Sequence, residues 1–178
     1  EIFAITGRVL PVTLEDVNLV AKLENGNIIN GESSIPEESK IQKSSIDKIF
    51  LNPKDVKPLK DVIASIYDAD IIIMGPGSLY TSIIPNLLVE GIVDAIKSSV
   101  APKVYIANIM TQPGETEGYN VLEHVNAIVK HTDENLIDYV IANNEILPEE
   151  MLDLYKQDGA EQVLLDKKQK DKLKEMGI

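Results

Sequence analysis

Apolar and polar residues alternate in the first part of the chain. Between positions 17 and 23 every second residue is Val, Leu or Ala, and a second apolar pair stands at 28–29. Asn25-Gly26 separates the two runs, and Asn-Gly between alternating runs is a strong β-hairpin signal. We therefore predict a hairpin over 17–31, with an extended segment over 2–11 before it. The polar stretch 31–45 predicts a loop, and 46–51 a short strand.

The pattern changes to helical spacing after Pro58. Apolar residues at 59, 62, 63 and 66 predict one face of a helix that ends near Asp68. The run 71–74 is apolar without alternation, which is typical of a strand buried on both faces in a parallel sheet. Gly75-Pro76-Gly77 ends it, and 78–99 is predicted to be largely helical, with Pro85 in a first turn or at a break.

This strand-and-helix cycle recurs twice. Strands are predicted at 104–107 and 139–142, helices at about 120–131 and 148–157, and a final short strand at 162–165 before a charged tail. Strands alternating with helices imply right-handed crossovers. The fold class is therefore α/β, a doubly wound and mainly parallel sheet with a β-hairpin insertion near the N-terminus.

Composition narrows the functional classes. The 178 residues include no cysteine, which excludes a disulfide framework, a thiolate zinc site and a cysteine nucleophile. No apolar run reaches a membrane span and no signal peptide is recognised, so a cytoplasmic location without a membrane span is expected. The net charge of −12 opposes binding to nucleic acid. Any anionic ligand must be held locally, by backbone amides or helix N-termini.

Ligands of open parallel sheets bind beyond the carboxyl ends of the strands. The loops to consider are therefore 75–82, 108–116 and 143–145. In the first loop, two glycines allow backbone amides to approach an anion, and nearby hydroxyl groups add donors. The loop is neither a Walker A loop nor G-x-G-x-x-G, since position 80 is tyrosine. The alternative is a plain turn followed by a helix cap. The candidate phosphate-binding residues are Gly75, Gly77, Ser78, Leu79, Tyr80, Thr81 and Ser82.

The other two loops offer neutral polar groups suited to a sugar or a base edge. The alternative for the second loop is a solvated turn at Pro113-Gly114, with Glu115 and Glu117 charging a helix N-terminus favourably. The asparagines of the third loop are also common turn residues. A tyrosine on the 148–157 helix could stack on a base, although its spacing also fits the edge of the core. These further candidates are Asn108, Thr111, Gln112, Asn143, Asn144 and Tyr155.

Metal binding and acid–base catalysis have weaker support from the sequence. His124 and His131 share a helix face, but without a third ligand or a nucleophile they are more simply partly exposed helix residues, and no metal site is predicted. No carboxylate pair can be assigned acid and base roles, so whether the chain catalyses a reaction stays open.

Four segments together resemble a known family. They are 7–11 (GRVLP), 31–33 (GES), 75–82 (GPGSLYTS) with 85–88 (PNLL), and 110–116 (MTQPGET). In combination they resemble the gluconeogenesis factor (YvcK-type) branch of the CofD-like superfamily, whose other branch includes 2-phospho-L-lactate transferase.

The resemblance implies a Rossmann-like three-layer fold. It implies one CofD-like domain over 1–178, represented in part, with a β-rich insertion over 12–51. Family members begin with a glycine-rich phosphate loop on their first strand, and no such segment occurs here. The sequence therefore corresponds to the C-terminal portion of the family pattern.

Two functions follow from the resemblance. One is a non-catalytic regulator that binds a UDP-sugar such as UDP-N-acetylglucosamine and affects carbon metabolism, cell-wall synthesis and cell shape. The alternative is a transferase of the 2-phospho-L-lactate type, using a nucleotide-linked donor and magnesium. No cofactor is expected for the regulator, and a homodimer is one assembly that the sequence allows.

Overall fold

A computed structural model describes residues 7–178; the start of the predicted extended segment, 2–6, lies outside the described residues. The strands are β1 Asn18–Leu23, β2 Ile28–Asn30, β3 Ile46–Asn52, β4 Ile72–Met74, β5 Lys103–Ile106 and β6 Tyr139–Ile141. The α-helices are α1 Ser34–Gln42, α2 Lys60–Tyr67, α3 Ile84–Leu87, α4 Ile92–Ser98, α5 Val121–His131, α6 Glu149–Gln157 and α7 Lys167–Glu175.

An antiparallel sheet in the order β2-β1-β3 forms the N-terminal part of the described chain. Ala21 pairs with Ile29 on one side and with Ile49 on the other, and all three side chains are buried. The alternation places these residues on the face that joins the main hydrophobic core. The predicted hairpin and the strand after it are confirmed.

Helix α1 occupies the segment predicted as a loop, so that prediction is wrong. Ile35 is completely buried and anchors the helix, while Ile41 on the same helix is 67% exposed. A helix with one buried apolar residue has no apolar periodicity that could be recognised in the sequence. Pro36 fits the first turn, where a missing N–H costs nothing, and Lys43 ends the helix in the left-handed conformation.

A parallel sheet in the order β4-β5-β6 forms the second layer. Met74 pairs with Tyr105, which pairs in turn with Val140, and Tyr105 is completely buried. Helix α2 precedes this sheet and begins and ends close to the predicted positions. The predicted α/β class, with a parallel sheet and an antiparallel hairpin sheet, is therefore confirmed.

The other face of the parallel sheet is exposed within residues 7–178. Ile73 on β4 is 53% exposed, and Tyr139 and Ile141 on β6 are also exposed. Only Val104 of the central strand is buried on that side. Within residues 7–178 the apolar run at 71–74 lies at the edge of this sheet, and the described residues cover one of its faces and leave the other open.

The segment after β4 is helical but broken. Leu79–Ile83 forms a π-helical turn that leads directly into α3, with Pro85 in the first turn of that helix, which is one of the two alternatives that the sequence left open. Gly91, at a positive φ of 78°, separates α3 from α4. The break turns the chain so that α4 packs beside α2.

The last third of the described chain is partly as predicted. Asn120 and Glu123 form a reciprocal capping box at the start of α5, and α6 follows Pro148. The predicted strand at 162–165 is absent from the described residues, since Gln162 forms only an isolated bridge with Met110. The charged tail is helix α7, which buries Leu173 against α5.

Within residues 7–178, no single helix has the length and apolar composition of a membrane span. The bent pair Leu79–Leu87 and Ile92–Ser98 meets those two criteria only when its halves are taken together.

Candidate functional site

The loops after β4 and β5 lie side by side at the carboxyl edge of the parallel sheet. Because β4 and β5 are neighbours and parallel, their carboxyl ends open on the same edge. The Asn108 side chain donates through Nδ2 to the carbonyl oxygen of Gly77 at 3.0 Å, which joins the two loops directly. The structure therefore brings the first two predicted loops together.

The two glycines of the first loop have different structural constraints. A Cβ atom on Gly75 would lie 2.9 Å from the carbonyl oxygen of Ile106, and Gly75 has a φ of +88°. At Gly77 a Cβ atom would meet only ordinary contacts at 3.6 Å and beyond. Position 75 thus requires glycine, because the backbone of β5 lies too close for a Cβ atom, whereas the fold leaves room for a small side chain at Gly77.

Backbone N–H groups of this loop remain available. Among residues 7–178, the amides of Gly77 and Ser78 have no hydrogen-bond acceptor. The carbonyl oxygen of Ser78 accepts from the amides of Ser82 and Ile83, which closes the π-helical turn. Two adjacent free N–H groups next to a helical start form the type of group that binds phosphate or carboxylate oxygen.

The side chains that follow differ in access. Leu79 and Tyr80 are 1% and 2% exposed and belong to the core, so they can support the loop but present little surface to a ligand. Thr81 is half-buried and its hydroxyl donates to Glu115. Ser82 is exposed. Of the predicted hydroxyl donors, Ser78 and Ser82 have no side-chain hydrogen bond within residues 7–178.

Glu115 lies beneath the first loop and is 2% exposed. Its carboxylate accepts from the amide of Tyr80 at 3.1 Å, the hydroxyl of Thr81 at 2.8 Å and the side-chain amide of Gln112 at 2.9 Å. Burial raises the pKa of Glu115, while the bonds from Thr81 and Tyr80 oppose that shift. Glu115 therefore does not simply charge a helix N-terminus, which was the alternative that the sequence left open.

Tyr80 connects the first loop to helix α5. Its hydroxyl lies 2.8 Å from the hydroxyl of Tyr119, and its ring packs edge-on against His131. Burial raises the pKa of Tyr80 far above its usual value. Nε2 of His131 accepts from the amide of Ile49 at 2.9 Å, which links α5 to β3. The glycine-rich loop is thus packed, through Tyr80 and His131, against the antiparallel sheet.

One of the two histidines differs from the sequence prediction, since His131 is partly exposed as expected whereas His124 is not. His124 is completely buried rather than partly exposed, and its Nε2 has no hydrogen-bond partner within the described chain. Burial lowers the pKa of both His124 and His131. His124 packs in the core and His131 links α5 to β3, and a helix pattern without tertiary contacts could not reveal these roles.

Four of the remaining candidate residues form hydrogen bonds within the described chain. Gln112 and Asn108 lie in the loop contacts described above. Thr111 is buried, and its hydroxyl accepts from the amide of Glu161, so it fixes the chain near the isolated bridge. Asn143 closes its own turn through Glu145.

Two candidates lie apart from these contacts. Asn144 is exposed, and Tyr155 is 40% exposed on α6. No hydrogen bond within residues 7–178 joins the side chain of either residue to the first two loops.

The parallel sheet with a glycine-rich loop at its carboxyl edge defines a Rossmann-like α/β protein. The family model described as 2-phospho-L-lactate transferase CofD matches residues 1–178. The chain belongs to that family, as its sequence motifs predicted.

Relatives agree with this assignment. A putative gluconeogenesis factor of Thermoanaerobacterium thermosulfurigenes is 56% identical over 93% of this chain and 51% of its own length. The gluconeogenesis factor of Bacillus subtilis is 42% identical over the whole chain and 54% of its own length. A crystal structure of a Bacillus halodurans protein has a TM-score of 0.91 at 42% identity, over 99% of this chain and 55% of that one. The chain spans about half the length of these relatives.

Proposed function

We propose that this chain forms part of a regulatory protein of carbon metabolism that binds a nucleotide sugar such as UDP-N-acetylglucosamine. Effects on cell-wall synthesis and cell shape are the proposed consequences of that binding. The main support is the pair of N–H groups at Gly77 and Ser78 that have no acceptor within residues 7–178, beside the side-chain amide of Asn108 from the second loop. Backbone amides can hold a diphosphate without a lysine or arginine, and they do so against the net charge of −12.

The division of tasks within the site follows from its chemistry. The first loop would hold the phosphate oxygens through N–H groups. Neutral side chains at the same edge, Asn108 and Gln112, would contact the sugar or the base. The Oδ1 atom of Asn108 is buried without a partner in the described chain, so Asn108 retains an unused acceptor.

Substitution of Gly77 tests this proposal. In the full-length protein, Gly77→Val is expected to abolish binding of UDP-N-acetylglucosamine in titration calorimetry, because its methyl groups would cover the adjacent N–H groups. Circular dichroism checks that the variant still folds, and the Cβ atom itself would meet only ordinary contacts. Gly77→Ala is the matched control and should lose less affinity. Wild-type affinity in Gly77→Val would contradict the placement of the phosphate.

A second candidate is a transferase of the 2-phospho-L-lactate type, which the description of the matching family favours. Such an enzyme would use magnesium with its nucleotide-linked donor. Among residues 7–178 no group of three His, Asp or Glu side chains is placed to hold a metal ion, and the carboxylate of Glu115 is already engaged by three donors. The described residues do not by themselves fit a magnesium site.

Ligand-dependent melting of the full-length protein distinguishes the two functions. A higher melting temperature with UDP-N-acetylglucosamine, without turnover, supports the regulator, because a ligand that binds the native state stabilises it. Product formation from a guanylylated donor and a deazaflavin in the presence of magnesium would support the transferase instead.

A further inference from the structure

We propose that Glu115 is a positioning residue that holds the glycine-rich loop 75–82 in its binding conformation through the reach of its carboxylate rather than through its charge. The consequence for ligand binding rests on the function proposed above. The structural part, control of the loop by Glu115, stands without it.

The start of the helical segment after this loop has no local cap. The first N–H groups of a helix lack acceptors within it, and a Ser, Thr or Asp side chain at the start usually supplies one. Ser78 holds that place but makes no such bond with its side chain. Oε2 of Glu115 accepts from the amide of Tyr80 instead, at 3.1 Å. The capping acceptor therefore comes from the neighbouring loop, 35 residues further along the chain.

The same carboxylate fixes the loop at a second point. Oε1 accepts from the hydroxyl of Thr81 and from the side-chain amide of Gln112. Tyr80 and Thr81 are thus held by one rigid group, which fixes the direction in which the turn begins. Gly77 and Ser78 come immediately before this turn, so the direction of their free N–H groups depends on it.

No cation is involved in these contacts. The three donors are a backbone amide, a hydroxyl and a side-chain amide, all of them neutral. A glutamine at this position could keep each bond. Its oxygen would accept from Tyr80, while its NH₂ would donate to the Thr81 oxygen and to Gln112 after that amide turned over. An aspartate keeps the charge but withdraws the acceptor by about 1.5 Å, the length of one C–C bond.

Hydrogen exchange tests this inference without any ligand. In the full-length protein, the amide of Tyr80 should exchange slowly in wild type and in Glu115→Gln. It should exchange about tenfold faster in Glu115→Asp, which corresponds to the loss of one net hydrogen bond. Wild-type protection in Glu115→Asp, or fast exchange in Glu115→Gln, would overturn the inference, since charge would then matter more than reach.

Titration with UDP and with uridine tests the consequence for the phosphate. Glu115→Asp should weaken UDP binding by about tenfold and leave uridine binding unchanged, whereas Glu115→Gln should bind both like wild type. Equal UDP affinity in Glu115→Asp and wild type would overturn the link to the ligand.

Two other experimental outcomes also decide the role of Glu115. If wild type binds no UDP, the proposed function fails, and the exchange measurement alone decides the role of Glu115. If circular dichroism shows that Glu115→Asp does not fold, Glu115→Gln decides: wild-type exchange at Tyr80 supports the inference, and rapid exchange overturns it.

Discussion

Helix α1 is packed against the second loop so closely that Gly114 has no room for a side chain. A Cβ atom there would lie 2.6 Å from the carbonyl carbon of Pro36 and 2.7 Å from its Cα atom. Real Cβ atoms essentially never come within 3.0 Å of a heavy atom outside their own residue and its chain neighbours, and both of these atoms belong to a backbone that cannot rotate away. Gly114→Ala should therefore push α1 off the loop.

The expected magnitude has two parts. Gly114 has a φ of +87°, a conformation that costs an alanine roughly 1–2 kcal/mol. Overpacking against a rigid neighbour typically adds about 1–3 kcal/mol. The predicted loss in the free energy of unfolding is thus about 2–5 kcal/mol, a large fraction of the roughly 5–15 kcal/mol that stabilises an ordinary domain.

Gly118 provides a matched control in the same connection between β5 and α5. It also has a positive φ, +71°, but nothing lies within 4 Å of the position of its Cβ. Gly118→Ala should therefore cost only the conformational part, roughly 1–2 kcal/mol. Urea denaturation followed by circular dichroism measures both variants. If Gly114→Ala is no less stable than Gly118→Ala, the close packing of α1 on this loop is wrong.

Two further predictions concern the aromatic contacts around Tyr80. Below about pH 6.5 the free energy of unfolding should fall, because His124 and His131 have pKa values below 6.5 in the folded protein and unfolding lets them take up protons. Urea midpoints between about pH 7.5 and pH 5.5 measure this dependence of stability on pH. The same dependence in the double variant His124→Leu/His131→Leu would contradict the prediction. Tyr119→Phe should lower the free energy of unfolding by about 1–3 kcal/mol, because it leaves the hydroxyl of Tyr80 without its partner. As a control, Tyr67→Phe at a half-exposed position should have no measurable effect. Equal losses of the two variants in thermal melts would contradict the role of the Tyr80–Tyr119 pair.

Elements with a strong local pattern were predictable from sequence. The hairpin around Asn25-Gly26 and helix α5 after Asn120 each combine an apolar period with a turn or cap signal. Helix α1 lacks such a pattern, because a single buried apolar residue, Ile35, anchors it to the core. Helix α7 buries Leu173 and otherwise carries mostly charged residues, so it appeared as a charged tail. In both helices tertiary packing outweighs the local signal.

The edge strand β4 shows a different limit. Its apolar run correctly predicted a strand of the parallel sheet, but the number of covered faces depends on which elements lie beside it. Ile73 and Tyr139 form part of a face that the described residues leave open. The apolar composition of a strand allows it to be buried on both faces but does not show that both faces are covered.

The site was predictable to the level of its loops but not of its contacts. The alternation of strands and helices predicted a parallel sheet, and the carboxyl-edge rule then selected the loops at 75–82 and 108–116, which a bond from Asn108 to Gly77 joins in the structure. The role of Glu115 could not be inferred, because a glutamate just before a helix has the same sequence signature whether it faces solvent or caps a neighbouring loop. Only its burial and its bond to the amide of Tyr80 distinguish the two. A buried carboxylate is costly unless donors surround it, and the donors from Tyr80, Thr81 and Gln112 meet that condition for Glu115.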